Sequence, residues 1–392
     1  TRTMFAMQTR PRPRRSVPRT ALAALRRLDA LAGPNGLDPY LAHLDRSWSS
    51  RTARARIVAV EHPGADAVSL TLRPNAAWRG FRAGQAVEVT VEIDGVHHRR
   101  WYSPTTSARR DDVLGLTVKV HPEGRVSRHL KTHARVGDVV GLEVTGSDFA
   151  LPEPGARPAD LLLVTGGSGH TPILSMLRTL ADDRHVGCVT WLHYDRTPAD
   201  VVVDEATRRR LRTLLPGLRT HVVHTRAPEP GEPAGHLTTD HLDAVALDWR
   251  ERATWACGPN PLLAALRERY EDAGCGDRLR IEAFALAAPA PAADDPADPA
   301  GSGNRGTVTF GRSDRRLTDD GRALLVQAES AGLTPKHGCR LGICHTCTAP
   351  LVAGTVRDLV TGATTSASAD DPGGCGIRLC VSAPVGDVAL DL

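Results

Sequence analysis

The sequence predicts a multidomain chain: an antiparallel β-barrel, then a doubly wound α/β unit, then a small C-terminal module built around a cysteine-rich loop. Three observations predict it. Apolar and polar residues alternate in short runs between Ala53 and Val144; from Asp160 onward apolar runs take turns with helical stretches; and Ala287 to Gly303 carries no large apolar side chain ahead of a tight cysteine triplet. At 392 residues the chain has room for several cores of ordinary size. The expected divisions are a basic N-terminal extension over 1–52, the barrel over 53–158, the α/β unit over 159–286, a linker over 287–303 and the last module over 304–392.

In the barrel, Val68, Leu70 and Leu72 alternate with polar residues, as do Val87, Val89, Val91 and Ile93, and then Leu114, Leu116, Val118 and Val120. Such period-two patterning gives an antiparallel sheet one apolar face, and closure into a barrel leaves the loops free to carry a ligand. At Leu161–Val164 the pattern becomes an unbroken apolar run, as in a strand buried on both faces. A Gly-rich turn and a helix over Thr171–Leu180 follow. Next come strand-like Val186–Leu192, helical Glu205–Leu215, and strand-like Thr220–Val223 and Thr254–Cys257, with closure near Phe284. This alternation predicts a parallel sheet with helices on both faces. The Pro, Ala, Gly, Ser and Asp of 287–303 cannot bury enough surface to offset ordering. Beyond them lie a strand at Thr307–Phe310, a helix from about Gly321 to Ala331 stopped by Gly332, the cysteine loop and a terminal strand Val388–Leu392.

The formal charge of +4 comes from 49 basic and 45 acidic residues, but Arg2, Arg10, Arg12, Arg14, Arg15, Arg19, Arg26 and Arg27 all precede the first acid, Asp29. Without those eight, 41 basic residues face 45 acidic ones, a body of −4. With four Tyr and five Phe as well, no nucleic-acid partner is expected. No stretch approaches the roughly 18 uninterrupted apolar residues of a membrane span. Arg26 and Arg27 split the run from Ala21 to Ala32, which argues against a secretory signal and for a cytoplasmic location. The basic extension reads either as a solvated tail or, because Leu22, Leu25, Leu28 and Ala32 recur at near-helical spacing, as a peripheral contact with the inner face of a membrane.

Cys339, Cys344 and Cys347 form C-x4-C-x2-C, with Cys375 and Cys380 further on. Thiolates so close on one loop converge on a single metal centre, and the spacing is that of plant-type [2Fe-2S] ferredoxins. A structural zinc site prefers paired C-x2-C knuckles, so a zinc-stapled adaptor is the alternative of another class. Chain reach leaves both Cys375 and Cys380 open as the fourth ligand. Gly338, Arg340 and Gly342 surround the first thiolate, where small residues let backbone N–H groups approach sulfur.

Arg100-Trp101-Tyr102-Ser103 closes a strand, and an Arg, an aromatic and a hydroxyl so placed can bind a diphosphate, flank a flavin ring and reach its edge. Gly124, Val126 and Ser127 open a helical segment whose first amides form an anion site. Gly166-Gly167-Ser168-Gly169-His170-Thr171-Pro172 makes a strand-to-helix turn that lets the backbone approach a pyrophosphate, and Cys257-Gly258-Pro259 ends a later strand. Asp195 can accept from a ribose 2′-hydroxyl, whereas Arg196, with Arg226 nearby, can pair with a 2′-phosphate, which leaves NADPH or NADH open with a lean to NADPH.

HGCRLGICHTC followed by IRLCVSAPVGDVALDL resembles the β-grasp ferredoxin domain, an α+β fold that ends in a ligand Cys just before its last strand. The resemblance implies Cys339, Cys344, Cys347 and Cys380 as iron ligands and Cys375 as a bystander. R-x-Y-S followed by G-x-x-S, then G-G-S-G-x-T-P and C-G-P, resembles the ferredoxin–NADP reductase superfamily over about residues 53–392. It implies FAD rather than FMN on Arg100, Tyr102, Ser103, Gly124, Val126 and Ser127. It also implies the nicotinamide nucleotide on Gly166, Gly167, Ser168, Gly169, Thr171, Pro172, Arg196, Gly258 and Pro259. Tyr102, Ser103 and Cys257 are then the residues at the reacting end, with Cys257 near the nicotinamide. His236 stands where related chains commonly carry Arg, and no role is carried onto it.

The implied function is electron transfer from NAD(P)H to FAD to [2Fe-2S] to a partner protein, FAD taking electrons in pairs and releasing them singly. HTC-TAPL-x4-VRDL-x-TG, with Tyr40-Leu41 and Ser47-Trp48-Ser49, resembles reductases of membrane acyl-CoA or acyl-lipid desaturases, which makes a desaturase the expected client. Reductases of Rieske oxygenases, diiron hydroxylases and cytochromes P450 share the three-domain logic and stand as the alternative.

Overall fold

Six strands build the first unit: β1 (Arg54–Gly64), β2 (Ala67–Pro74), β3 (Val87–Ile93), β4 (Val96–Tyr102), β5 (Leu114–Lys119) and β6 (Val139–Val144). This computed structural model describes residues 38, 43, 45–49, 51–64, 66–121, 124–144, 149–201, 203–226, 234–283, 306–338, 340, 342, 345–359, 362–368 and 375–392. Residues 1–37, Tyr40-Leu41, the expected linker, Cys339 and Cys344 lie outside the described residues. The strands run antiparallel in the order β4-β3-β6-β1-β2-β5, and Pro104 pairs with Leu116 to join the two ends, giving the expected barrel. Val68, Leu70, Leu72, Val87, Val89, Leu114, Leu116 and Val118 fill it.

β4, the strand expected to close at Arg100–Ser103, shows no alternation in VHHRRWY; it is an end strand, half-buried at most. Asp94 (φ 53°) and Gly95 (φ 74°) make the two-residue turn that pairs it to β3. A helix, α1 (Arg125–His133), packs by Val126 and Leu130 against the barrel core.

The second unit alternates β7 (Leu161–Gly166), α2 (His170–Asp182), β8 (Val189–Asp195), α3 (Glu205–Leu214), β9 (Leu218–His224), α4 (Thr239–Val245), β10 (Ala253–Gly258), α5 (Asn260–Asp272) and β11 (Leu279–Ala283). All five strands are parallel in the order β11-β10-β7-β8-β9. Strand order reverses between β7 and β10, so a ligand crevice belongs at the carboxyl ends of those two strands. β8 starts at Val189, not Val186. Gly187 (φ 151°) turns so closely under Ala159 that a Cβ there would lie 2.0 Å from its carbonyl oxygen, and Val186 is left 89% exposed in the turn. Ala83, Phe149 and Leu151, from the barrel side, join Leu161, Leu163, Met176, Leu177, Trp191 and Trp255 in one core.

The third unit holds β12 (Thr307–Phe310), β13 (Arg315–Thr318), α6 (Leu324–Ser330), β14 (Thr348–Asp358), β15 (Thr364–Ala367), β16 (Cys375–Arg378) and β17 (Ser382–Leu390). The sheet runs β13-β12-β17-β14-β15 with β16 paired to β14, and β12 lies parallel to β17, the mixed α+β arrangement expected. Val308, Phe310, Leu324, Leu351, Val381 and Leu390 form its own core. α6 begins at Leu324 because Gly321 (φ 80°) is spent on the preceding turn. Among the described residues no helix is long and apolar enough to cross a membrane.

Candidate functional site

At the end of β4, Arg100 is exposed and donates to the carbonyl of its neighbour Arg99 at 2.7 Å. Tyr102 is half-buried, and burial pushes its hydroxyl pKa up to about 12 against the opposing charge of Arg100. The Ser103 hydroxyl is buried and meets no hydrogen-bond partner among the described residues. α1 packs against β4, and its first backbone bond runs from Arg128 N–H to Gly124 O at 3.0 Å, so the amides of Arg125, Val126 and Ser127 precede the helical ladder. The Ser127 hydroxyl accepts from His121 N–H and donates to Gly124 O, both at 3.2 Å, folding the approach loop onto the helix start. An orphaned buried hydroxyl, a half-buried aromatic ring, an exposed guanidinium and a helix start without a side-chain cap fit a flavin nucleotide.

At the sheet's reversal point the two glycine motifs, far apart in sequence, interlock. Thr165 on β7 pairs with Cys257 on β10. A Cβ on Gly169 would lie 2.0 Å from Cys257 O, one on Gly166 2.8 Å from Pro259 Cδ, and one on Gly258 2.9 Å from Gly166 N. Gly167 adopts φ 51°, Thr171 Oγ1 donates to Ser168 O at 3.1 Å, and Pro172 sits in the first turn of α2. This glycine cradle is open only to a chain without side chains and fits a pyrophosphate. Cys257 is fully buried; burial, with Glu282 beside it on β11, pushes its thiol pKa well up and keeps it protonated.

Beneath the cradle runs a buried polar chain that the sequence did not disclose. Trp191 Nε1–H donates to Thr165 Oγ1 at 2.8 Å, Thr165 Oγ1 lies 2.6 Å from His193 Nδ1, and His193 Nε2 lies 2.7 Å from Asp195 Oδ2. The carboxylate accepts, so His193 donates through Nε2 and receives the Thr165 hydroxyl on Nδ1. Asp195 is therefore 8% exposed and already bonded, while Arg196 faces outward to Asp200 at 2.6 Å. Arg226 N–H donates to Arg196 O at 2.9 Å, setting the two arginines on neighbouring chain segments.

The flavin and nucleotide motifs are tied directly. Arg178 on α2 donates to the carbonyl of Thr105, just past Ser103, and Ala108 N–H donates to Thr179 Oγ1 at 2.9 Å. Arg109 grips Asp183 at 2.7 and 3.0 Å, and Arg157 adds a third bond at 3.0 Å.

In the third unit Cys347 and Cys380 are 3% and 5% exposed, whereas Cys375 is exposed. Leu379 N–H donates to Cys347 O at 3.2 Å, bringing the two buried cysteines onto paired segments, and Gly342 N–H points at Cys380 Sγ at 3.3 Å. Two buried thiols with an amide donor fit an iron–sulfur cluster.

Three families match in order: oxidoreductase FAD-binding domain over residues 57–149, oxidoreductase NAD-binding domain over 163–268, and 2Fe-2S iron-sulfur cluster binding domain over 308–385. An NADPH oxidoreductase of Mycobacterium tuberculosis is 37% identical across 94% of this chain and 92% of its own. The chain belongs to the ferredoxin–NADP reductase superfamily. The reductase is also 29% identical to a glycine betaine monooxygenase reductase subunit of Chromohalobacter salexigens, over 79% of this chain and 87% of that one. Phthalate dioxygenase reductase shares its fold, with a TM-score of 0.51 and 20% identity over 86% of this chain and 97% of the other. The reductase is thus an NAD(P)H-dependent flavin and iron–sulfur oxidoreductase that works with FAD and a [2Fe-2S] cluster and serves a redox partner, which displaces the zinc-adaptor reading.

His170, at the variable position of the reductase's glycine turn, gives a pH prediction. Its Nδ1 lies 2.7 Å from Gly167 O and its ring stands edge-on to His193 at 6.0 Å. Burial first, then His193, pushes its pKa down from 6.5 to about 4. The folded chain keeps it neutral where the unfolded chain protonates, so its contribution is whole above pH 6.5 and drains away as pH falls toward 4, by roughly 3 kcal/mol. Urea midpoints followed by tryptophan fluorescence should drop over that range in the parent and less in His170→Asn.

Proposed function

We propose that the reductase oxidises NADPH and supplies electrons singly to a membrane fatty-acyl desaturase. The observation carrying the nucleotide choice is the state of Asp195: a buried carboxylate already bonded to His193 is a poor acceptor for a ribose 2′-hydroxyl, while Arg196 and Arg226 together suit a 2′-phosphate. The likeness to an NADPH oxidoreductase supports the same choice.

In this reading Arg100 and the amides of Gly124, Val126 and Ser127 hold the FAD diphosphate, Tyr102 flanks the ring and Ser103 turns its hydroxyl to the ring edge. Gly166, Gly167, Ser168, Gly169, Thr171, Pro172, Gly258 and Pro259 admit the nucleotide backbone, with Cys257 at the nicotinamide end. Bound FAD supplies the conversion from paired to single electrons, and Cys339, Cys344, Cys347 and Cys380 hold the cluster that carries them outward. The working divisions are 53–158 for flavin, 159–286 for nucleotide and 304–392 for the cluster, joined by 287–303. A bidentate Arg contact to a diphosphate contributes on the order of 1.5–3 kcal/mol, so Arg100→Ala should weaken flavin retention roughly ten- to hundredfold in equilibrium dialysis. Unchanged flavin affinity would show the diphosphate lies elsewhere.

The desaturase reading rests on the likeness of residues 345–362, 40–41 and 47–49 to desaturase reductases. An oxygenase client is the second reading, favoured by relatives named as monooxygenase reductase subunits. NADPH-driven assays with membranes carrying a desaturase, run beside a purified Rieske oxygenase, separate the two: product formation only with the oxygenase sinks the first reading. Membrane contact through the basic N-terminal tail predicts co-sedimentation with anionic but not neutral vesicles, lost on deleting residues 1–33.

A further inference from the structure

We propose that Asp358 and Arg378 set the reduction potential of the iron–sulfur centre by fixing Gly342 as a hydrogen-bond donor to the Cys380 sulfur. This rests on the reading of Cys380 as a ligand. Arg378 lies two residues before Cys380 at the end of β16. Its Nη1 donates to Gly342 O at 2.6 Å and its Nη2 to Asp358 Oδ2 at 2.6 Å. One guanidinium therefore ties the cysteine loop to the end of β14. Leu359 N–H donates to Val381 O at 2.6 Å, so the strand end that offers Asp358 is itself fastened to the far side of Cys380.

Gly342 is held from both directions. Its carbonyl is gripped by Arg378, and its own N–H reaches Cys380 Sγ at 3.3 Å. It adopts φ 74°, and a Cβ there would lie 3.0 Å from Val381 Cγ2, so the approach to sulfur needs glycine and is set by a neighbour that the clamp also holds. An N–H aimed at a ligand sulfur stabilises the more negative, reduced cluster, because the added electron raises charge on sulfur. How well it does so depends on where the amide stands. Arg378 and Asp358 are 31% and 15% exposed, a partly covered pair whose opposite charges largely cancel at a distance. The clamp thus acts through geometry; Arg378 and Asp358 are positioning residues, not catalytic ones. It also gives the Val356-Arg357-Asp358-Leu359 segment a task inside the reductase.

Redox titration of full-length holoprotein, following the reduced cluster by EPR, tests this with two mild variants. Arg378→Lys keeps the charge but loses the fork; Asp358→Asn keeps the guanidinium but loosens its anchor. Positioning predicts that both shift the reduction equilibrium about tenfold toward the oxidised form, a fall of about 59 mV for one electron. If only charge mattered, Arg378→Lys would leave the potential in place and Asp358→Asn would raise it; either result overturns the proposal. Lower thermal stability at an unchanged potential also overturns it, because that is a merely structural role. Cys380→Ser, run in parallel, keeps the premise separate: an unaltered cluster in that variant discards the ligand reading, whereas cluster loss there with parental potentials in the two clamp variants discards the clamp alone.

Discussion

Replacing Cys380 by serine is expected to abolish the iron–sulfur chromophore, while replacing Cys375 leaves its visible and EPR spectra intact. Chain reach from Cys347 permits either residue, so burial and pairing have to decide. Cys375 is exposed at the first position of β16, paired with Leu351 at the strand's outer end. Cys380 is 5% exposed in the same core as Cys347, and the Leu379 N–H to Cys347 O bond sets their segments side by side. Gly342 N–H already addresses the Cys380 sulfur at 3.3 Å, an arrangement wasted on a structural thiol but useful to a thiolate ligand. Because four thiolates hold such a cluster, losing one ligand should cost essentially all of it, read as iron per protein. A cluster kept in Cys380→Ser and lost in Cys375→Ser reverses the assignment.

Gly169→Ala should be the most damaging single methyl in the glycine cradle. Its Cβ would stand 2.0 Å from Cys257 O, 2.4 Å from Cys257 C and 2.9 Å from Gly258 N. All three atoms are main chain, so no rotamer can yield and the β7 turn must part from β10. A shift near 1 Å at a reacting centre costs on the order of a hundredfold in rate, and stopped-flow reduction of bound flavin by NADPH should show at least that loss. Gly167→Ala is the control. It carries φ 51° with nothing within 4 Å of the added methyl, so only the left-handed backbone cost of roughly 1–2 kcal/mol applies. Flavin content should stay parental in both, since the FAD residues proposed here lie at the end of β4 and the start of α1. Parental flavin reduction in Gly169→Ala would remove the interlocked turn from the hydride path.

Much of this architecture is legible in the sequence because its signals are local. Period-two runs mark the barrel strands, and Leu161–Val164 before a glycine turn marks the central parallel strand. The glycine and C-G-P motifs are legible as strings, yet their contact is not, since it depends on β7 and β10 being neighbours. The Thr165, His193 and Asp195 chain is opaque for the same reason: only the register of β7 on β8, which sets Thr165 opposite His193, reveals it. Arg178 and Arg378 look like ordinary charged residues on a helix and a strand. The end of β4 was legible at Arg100–Ser103, but its start was masked by four basic or imidazole side chains in a row at a sheet end. The choice between Asp195 and Arg196 could be framed from residue types, but not weighed without seeing that Asp195 is buried against His193 while Arg196 is at the surface.

Phe149 and Leu151, which follow the last barrel strand, are buried with Leu161, Met176, Trp191 and Trp255, and Trp255 Nε1–H donates to Ala150 O at 3.3 Å. The barrel keeps a core of its own but shares this apolar seam with the nucleotide unit, whereas among the described residues the cluster unit is assembled around a core it shares with neither. The chain has three chemical parts and two thermodynamic ones. Joined through that seam, the first two are expected to unfold together under heat or denaturant, so lost packing at the seam is felt by both. The cluster unit carries its own stability. Recombination can exchange it for another electron carrier at little cost to the block that oxidises the nucleotide, which makes the join before Thr307 the place where a lineage can acquire a new client.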